Sequence, residues 1–164
     1  MRLRFNPFDF LHTQLHCQLL ETGDINVIDT LNDPNQTKYW KRDGYNDRPV
    51  RPDEYGGLFG RSRYSGAVNI AVDVPELGFM ISFRGVFKSR YGDADLNGNK
   101  ILDDETEYTL GYSLWYLTLS KNIFNYFRLQ VGVDNLFNYK SQKARLVTSG
   151  RTIYARLIFN YVIE

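Results

Sequence analysis

The clearest pattern along the chain is an alternation of apolar and polar positions with a period of two, the signature of strands with one face in an apolar environment. In the segment 127–137 one face carries Phe127, Leu129, Val131, Val133 and Phe137. The other carries Arg128, Gln130, Gly132 and Asp134, and Leu136 breaks the rule. In 151–163 the residues Ile153, Ala155, Leu157, Phe159, Tyr161 and Ile163 alternate with Thr152, Tyr154, Arg156 and Asn160. Phe79, Ile81, Phe83 and Phe87 alternate with Ser82, Arg84 and Lys88. Tyr64, Val68, Ile70 and Val72 alternate with Arg63, Ser65 and Asn69. Leu11, Leu15, Cys17 and Leu19 alternate with His12, Gln14, His16 and Gln18, and 108–121 reads as a strand that is apolar on both faces near Trp115. The expectation is an all-β chain of about six long antiparallel strands, with no amphipathic helix.

The lengths sharpen this. Each segment runs roughly 10 to 14 residues, against ~5–6 for a strand in a globular protein and ~9–11 for a tilted strand crossing a bilayer. Short turns near residues 73–77 and 122–126 alternate with longer polar connections at 22–57, 92–107 and 139–149. Short turns at one end and long loops at the other describe an outer-membrane barrel, its apolar face toward lipid and its polar face toward the lumen. Arg84, Arg128, Asp134 and Arg156 are then expected to face the lumen. A soluble sandwich also needs one apolar face per strand, so alternation alone leaves that reading open. Six strands would leave two open edges, and in lipid each unpaired backbone group costs several kcal/mol. The sheet is therefore expected to be a curved, up-and-down fragment of a larger barrel.

Composition narrows the class. The chain has 164 residues with 20 Lys+Arg and 19 Asp+Glu, and a charge of +1 gives no reason to expect a nucleic-acid partner. Mean hydropathy is −0.41, and no stretch approaches the ~18 apolar residues of a membrane helix. The single Cys17 cannot form an internal disulfide. Aromatic residues make up 15% of the chain, a share suited to strands and to boundaries between water and an apolar phase. The first residues, Met1-Arg2-Leu3-Arg4-Phe5-Asn6-Pro7, lack a signal-peptide core, so the expectation is a piece of a longer polypeptide or a cytoplasmic protein.

The C-terminal third carries a likeness. Val131-Gly132-Val133-Asp134-Asn135-Leu136-Phe137-Asn138-Tyr139 resembles the GVDNLFN segment near the end of TonB-dependent outer-membrane receptors. Gly150-Arg151-Thr152-Ile153-Tyr154-Ala155 with Phe159-Asn160-Tyr161 resembles their final strand, and 111–121 resembles the strand before. Ser149 stands where the usual residue is proline, and Val162-Ile163-Glu164 extends past the usual closing aromatic. The resemblance implies a 22-stranded barrel in a bacterial outer membrane, closed by an N-terminal plug and energised by the TonB complex. It implies import of a bulky nutrient such as an iron chelate, haem, cobalamin or glycan. Plug and earlier strands would be the missing partners, with outer-membrane lipid around the sheet, and the fragment alone would not transport.

One segment looks chemical. Asp93, Asp95, Asn97 and Gly98 fit positions 1, 3, 5 and 6 of a calcium loop, Asn99 could offer a carbonyl at position 7, and Asp104 stands at position 12. Against this stand Lys100 at position 8, the absence of flanking helices, and the ordinary use of Asp, Asn and Gly in turns. His12 and His16 share one strand face but lie ~13 Å apart, too far for one ion. Tyr39, Trp40, Tyr45, Tyr55 and Phe59 in the first long loop are candidates for ligand stacking or for an outer aromatic girdle. There is no nucleophile elbow or phosphate-binding glycine loop, so no enzyme is expected. The rivals to the receptor are a soluble ligand-binding β-barrel or sandwich, and a secreted calcium-dependent adhesion module.

Overall fold

The computed structural model describes residues 1–123, 126–141 and 149–159. In chain order the strands and helix are β1 Arg2–Phe8, β2 Leu11–Leu19, α1 Ile25–Leu31, β3 Trp40–Asp43, β4 Asn46–Pro49, β5 Tyr64–Val74, β6 Phe79–Lys88, β7 Tyr91–Gly92, β8 Tyr108–Thr109, β9 Tyr112–Ile123, β10 Phe127–Asp134 and β11 Thr152–Phe159. Seven of the strands form one antiparallel sheet in the order β1-β2-β5-β6-β9-β10-β11. Each strand pairs with the next long strand along the chain, so the sheet is an up-and-down meander with the loops projecting from one end.

The sequence reading counted six strands; the seventh is β1, an edge strand. Its alternation of Arg2, Leu3, Arg4 and Phe5 stops at Asn6-Pro7, and the pairing with β2 becomes irregular between Phe5 and Phe8. Proline lacks the N–H that a central strand must donate, and an edge strand tolerates this. The segment 108–121 is two strands, β8 and β9, interrupted at Leu110-Gly111. The strand expected over 160–163, and parts of the connections 122–126 and 139–149, lie outside the described residues.

The pairings fix which residues share a face. Leu3 faces Leu15, and Leu15 faces Val68. Val72 faces Ile81, Ile81 faces Leu119, Leu119 faces Val131, and Val131 faces Ala155. One side is therefore mainly apolar from β1 to β11, with Thr13, Ser113 and Lys121 as polar members, the last two near its ends. The opposite side carries the transverse row Arg4, Gln14, Asn69, Arg84 and Tyr116, each opposite the next. The apolar side is not packed against a second layer: Leu3, Leu15, Phe87, Leu129, Val131 and Leu157 are all exposed.

The buried core lies in the long loops instead. Val27 and Leu31 of α1, Tyr39, Val50 and Ile101 pack together, with Tyr55 against them. This corrects the expectation of no helix. Asp24 caps α1 by accepting from Asn26 N–H at 2.9 Å. A helix of 7 residues is marginal alone, and burying Val27 and Leu31 stabilises it. The connections at one end thus form a small folded cap.

Candidate functional site

Two places collect functional side chains: the cap, and the polar face of the sheet. In the cap, Lys41 of β3 reaches the loop 93–107, donating to the Asp103 carbonyl at 2.9 Å and lying 3.5 Å from Glu54 Oε1. The Arg48 guanidinium on β4 grips both oxygens of Glu54, at 2.6 and 2.8 Å, and its Nε donates to Asp43 at 2.9 Å. That grip, with the Arg51 N–H and the Lys41 charge, holds the Glu54 carboxyl well below the usual carboxylate range. A bidentate pair of this kind fixes orientation as well as charge.

Behind it lie two buried acids. The Glu107 carboxylate accepts from the backbone N–H of Leu96, Asp103 and Asp104 at 3.0–3.2 Å. Asp103 Oδ1 accepts from the side-chain amides of Asn97 and Asn99 at 3.0 and 2.9 Å. Asp103 Oδ2 has no hydrogen-bond partner and lies 3.9 Å from Lys41 Nζ. Buried carboxylates require such donors or nearby cations.

The candidate calcium residues hydrogen-bond mainly within their own loop. Asp95 accepts from Gly98 N–H at 2.7 Å and Lys100 N–H at 2.8 Å. Asn97 and Asn99 accept from backbone N–H groups two residues on, at 3.0 Å each. Asp104 accepts from the N–H and hydroxyl of Thr106, which lower its pKa from the usual value. The Asp93 backbone N–H pairs with the Glu107 carbonyl at 2.9 Å. Among the described residues no three acids, histidines or cysteines converge as a metal site would need. The loop is held by Asx turns and by the box that Asp104 and Glu107 form around the 3-10 turn Glu105–Glu107. That Asp-x-x-Glu spacing was the available sequence signal for Glu107. Nothing in sequence signalled Lys41, which comes from 62 residues away.

A cleft of about 960 Å³ opens beside the cap, lined among others by Lys41, Glu54, Tyr55, Arg61, Arg90 and Tyr108. Its charges are largely paired with one another: Arg63 with Glu21, Arg90 with Glu105, and Lys41 with Glu54 and Asp103. Burial pushes the Tyr108 phenol up, and the nearby Arg90 charge opposes this. Of the first-loop aromatics, Tyr39 is buried and Tyr55 packs on the cap core, while Trp40 and Tyr45 are exposed. Tyr39 and Tyr55 are thus core residues first, not a free stacking surface.

On the sheet, Arg84, Arg128, Asp134 and Arg156 all fall on the polar face by register. Arg84 lies over the Tyr116 ring at 5.9 Å. Arg128 donates to Asn122 Oδ1 at 2.9 Å. His12 and His16 sit opposite Ala71 and Ala67 on the same face. Reading β1 as non-strand missed Arg2 and Arg4, which join this face; Arg2 donates to Gln14 at 3.2 Å. At the top of β10, Asn135 in the left-handed region (φ 53°) donates to the carbonyls of Tyr139 and Ser149 and accepts from Tyr139 N–H at 2.8 Å. Asn138 (φ 54°) accepts from Arg151 N–H at 2.9 Å. The Asn135-Leu136-Phe137-Asn138 segment therefore ties the start of its loop to the return strand.

Searches against protein-family models, curated proteins and solved structures return no match.

Proposed function

We propose that this chain is part of the C-terminal barrel of a TonB-dependent outer-membrane receptor, whose whole form takes up a bulky nutrient. The observation that carries this reading is the exposed, mainly apolar face that extends across seven strands, in a protein whose buried core lies in the loops. A water-soluble sheet hides such a face against a second layer. A membrane sheet leaves it for lipid and turns the alternate residues inward.

Dimensions agree with this. From the row of Ile123 and Phe127 to the row of Ser113 and Phe87 is ten residues along β9. That is about 33 Å at ~3.3 Å per residue, or about 25 Å of bilayer thickness at a tilt of ~40°. Aromatic residues stand near both ends of the band: Phe79, Phe127 and Phe159 at the turn end, Tyr64, Phe87 and Trp115 at the loop end. The edges β1 and β11 each have one paired side, which in lipid calls for further strands. The loop cap then lies on the outer side, where a receptor first meets its cargo, and the likeness in 131–139 supports the choice of family.

The test is the native product. An antibody to the loop 93–107, applied to fractionated source cells, is expected to mark an outer-membrane band several times heavier than 19.2 kDa. A soluble band at that mass would overturn the reading.

A further inference from the structure

The polar face of the sheet is strongly unbalanced in charge. By register it carries Arg2, Arg4, Arg84, Lys88, Arg128 and Arg156, six cations, against the two acids Asp73 and Asp134. The whole chain is nearly neutral at +1, so its acids are concentrated elsewhere. Every ion pair among the described residues lies in the loop regions, in 21–63 and 90–107; none involves a residue of the seven-stranded sheet. Four of the six have neutral company instead. Arg2 and Arg128 donate to side-chain amides, and Arg84 and Lys88 lie over the rings of Tyr116 and Tyr91. Between them stand hydrogen-bonding neutral groups, among them Gln14, Asn69 and Thr118.

We infer that this face is an anion-guiding wall, and that the solute moving along it carries net negative charge of the carboxylate or phosphate class. The direction in which the face looks, into a lumen, rests on the receptor reading; its charge does not. Surface cations in water attract weakly, but a concave wall of one sign over low-dielectric material focuses its field and raises local counter-ion concentration ~10-fold or more. Guanidinium groups also match carboxylate and phosphate oxygens in geometry. Unpaired cations suit passage better than paired ones, because no internal bridge must break for the solute to bind. A neutral cargo would have no use for the imbalance, and a cationic one would be repelled by it.

The test uses the native protein in its own membrane. Cys17 is replaced (Cys17→Ser) and a fluorophore is attached at Ser82→Cys, in the middle of the polar face opposite Thr118 and Ala71. A reference label goes on Tyr45→Cys, at the fully exposed hairpin tip. The expected result is a ratio of iodide to acrylamide quenching at least threefold higher at position 82 than at 45. Raising salt should lower it, and citrate at millimolar concentration should protect the label where spermidine does not. Replacing Arg4, Arg84 and Arg156 by Gln should abolish the excess, and Arg84→Lys, which retains charge, should preserve it in a folded protein. Caesium quenching above iodide quenching at 82, or an iodide excess unmoved by the Gln variant, would overturn the inference. Failure of the receptor reading shows separately, as a soluble labelled chain, and leaves the quenching ratio readable.

Discussion

Arg48 holds Glu54 through both guanidinium nitrogens, at 2.6 and 2.8 Å, and so ties the β3–β4 hairpin to the 3-10 turn Pro52–Glu54. Because the folded carboxyl sits below its ordinary value of 4.5, the pair contributes stability that is complete above the unfolded pKa. It is lost as pH falls through the folded one. The cap is therefore expected to hold unchanged from pH 8 to pH 5 and to loosen progressively below about 4.5. Near-ultraviolet circular dichroism, which reads the packing of buried Tyr39, checks this, and Glu54→Gln should remove most of the acid-dependent part. A cap signal that is flat to pH 2 would refute the assignment.

Glu107 satisfies three backbone N–H groups from a position 1% exposed. Glu107→Ala leaves those donors without a partner in the interior, at about 1–3 kcal/mol each before water enters. The expected outcome is faster hydrogen exchange at Leu96, Asp103 and Asp104, with the amides of β10 unaffected. Glu107→Gln, which retains acceptor capacity on one oxygen, should fall between.

Tyr154 lies across Gly132, and an added Cβ there would stand 2.4 Å from its ring. The same ring places its hydroxyl 3.2 Å from Thr118 Oγ1, on the strand beyond. Gly132→Ala is expected to displace Tyr154, break that link and cost about 1–3 kcal/mol, the usual range for overpacking. Tyr154→Phe removes the link alone and should cost less, about 0.5–1.5 kcal/mol. Denaturant midpoints of the folded protein measure both.

How far the sequence reached follows from where each signal resides. Strands β5, β6, β10 and β11 were legible because alternation is local: Leu129 and Val131 announce a face without reference to anything distant. β1 was illegible because Asn6 and Pro7 spoil its alternation, and only pairing with β2 makes it a strand. The cap core escaped for a different reason. Val27, Leu31, Tyr39, Val50 and Ile101 are spread over three-quarters of a hundred residues in polar surroundings, and their convergence is a tertiary fact with no period. The acidic loop was visible as a chemical segment, but its Asp and Asn oxygens had two uses, ions and backbone amides, and spacing alone does not choose. The polar-face residues Arg84, Arg128, Asp134 and Arg156 were readable from parity alone.

Calcium offers a direct check on that choice. Asp95 is committed to the N–H groups of Gly98 and Lys100, and Asp104 to Thr106. The unfolding midpoint is therefore expected to be the same in millimolar calcium and in chelator, and Asp95→Ala should lower it equally in both. A rise with calcium that Asp95→Ala abolishes would show the loop rearranging around an ion.

The receptor reading makes a sided prediction at two adjacent residues. Leu119 lies in the middle of the apolar face, opposite Ile81 and Val131, and Thr118 lies on the polar face opposite Ser82 and Gly132. If lipid covers the apolar side, Leu119→Arg puts a guanidinium near the bilayer midplane at a cost of about 2–4 kcal/mol. Thr118→Arg only adds a cation to a face that already bears several. The first variant should reduce the amount of protein inserted in the outer membrane by tenfold or more, since each 1.4 kcal/mol is about tenfold in an equilibrium. The second should insert to within a factor of two of the native protein. A soluble sheet buried against another layer would also reject Leu119→Arg, so the discriminating measurement is lipid contact. A lipid-phase quencher should reach a label at Leu119→Cys and not one at Thr118→Cys, in a protein whose Cys17 has been replaced. Equal quenching at both positions would remove the physical basis for placing this sheet in a membrane.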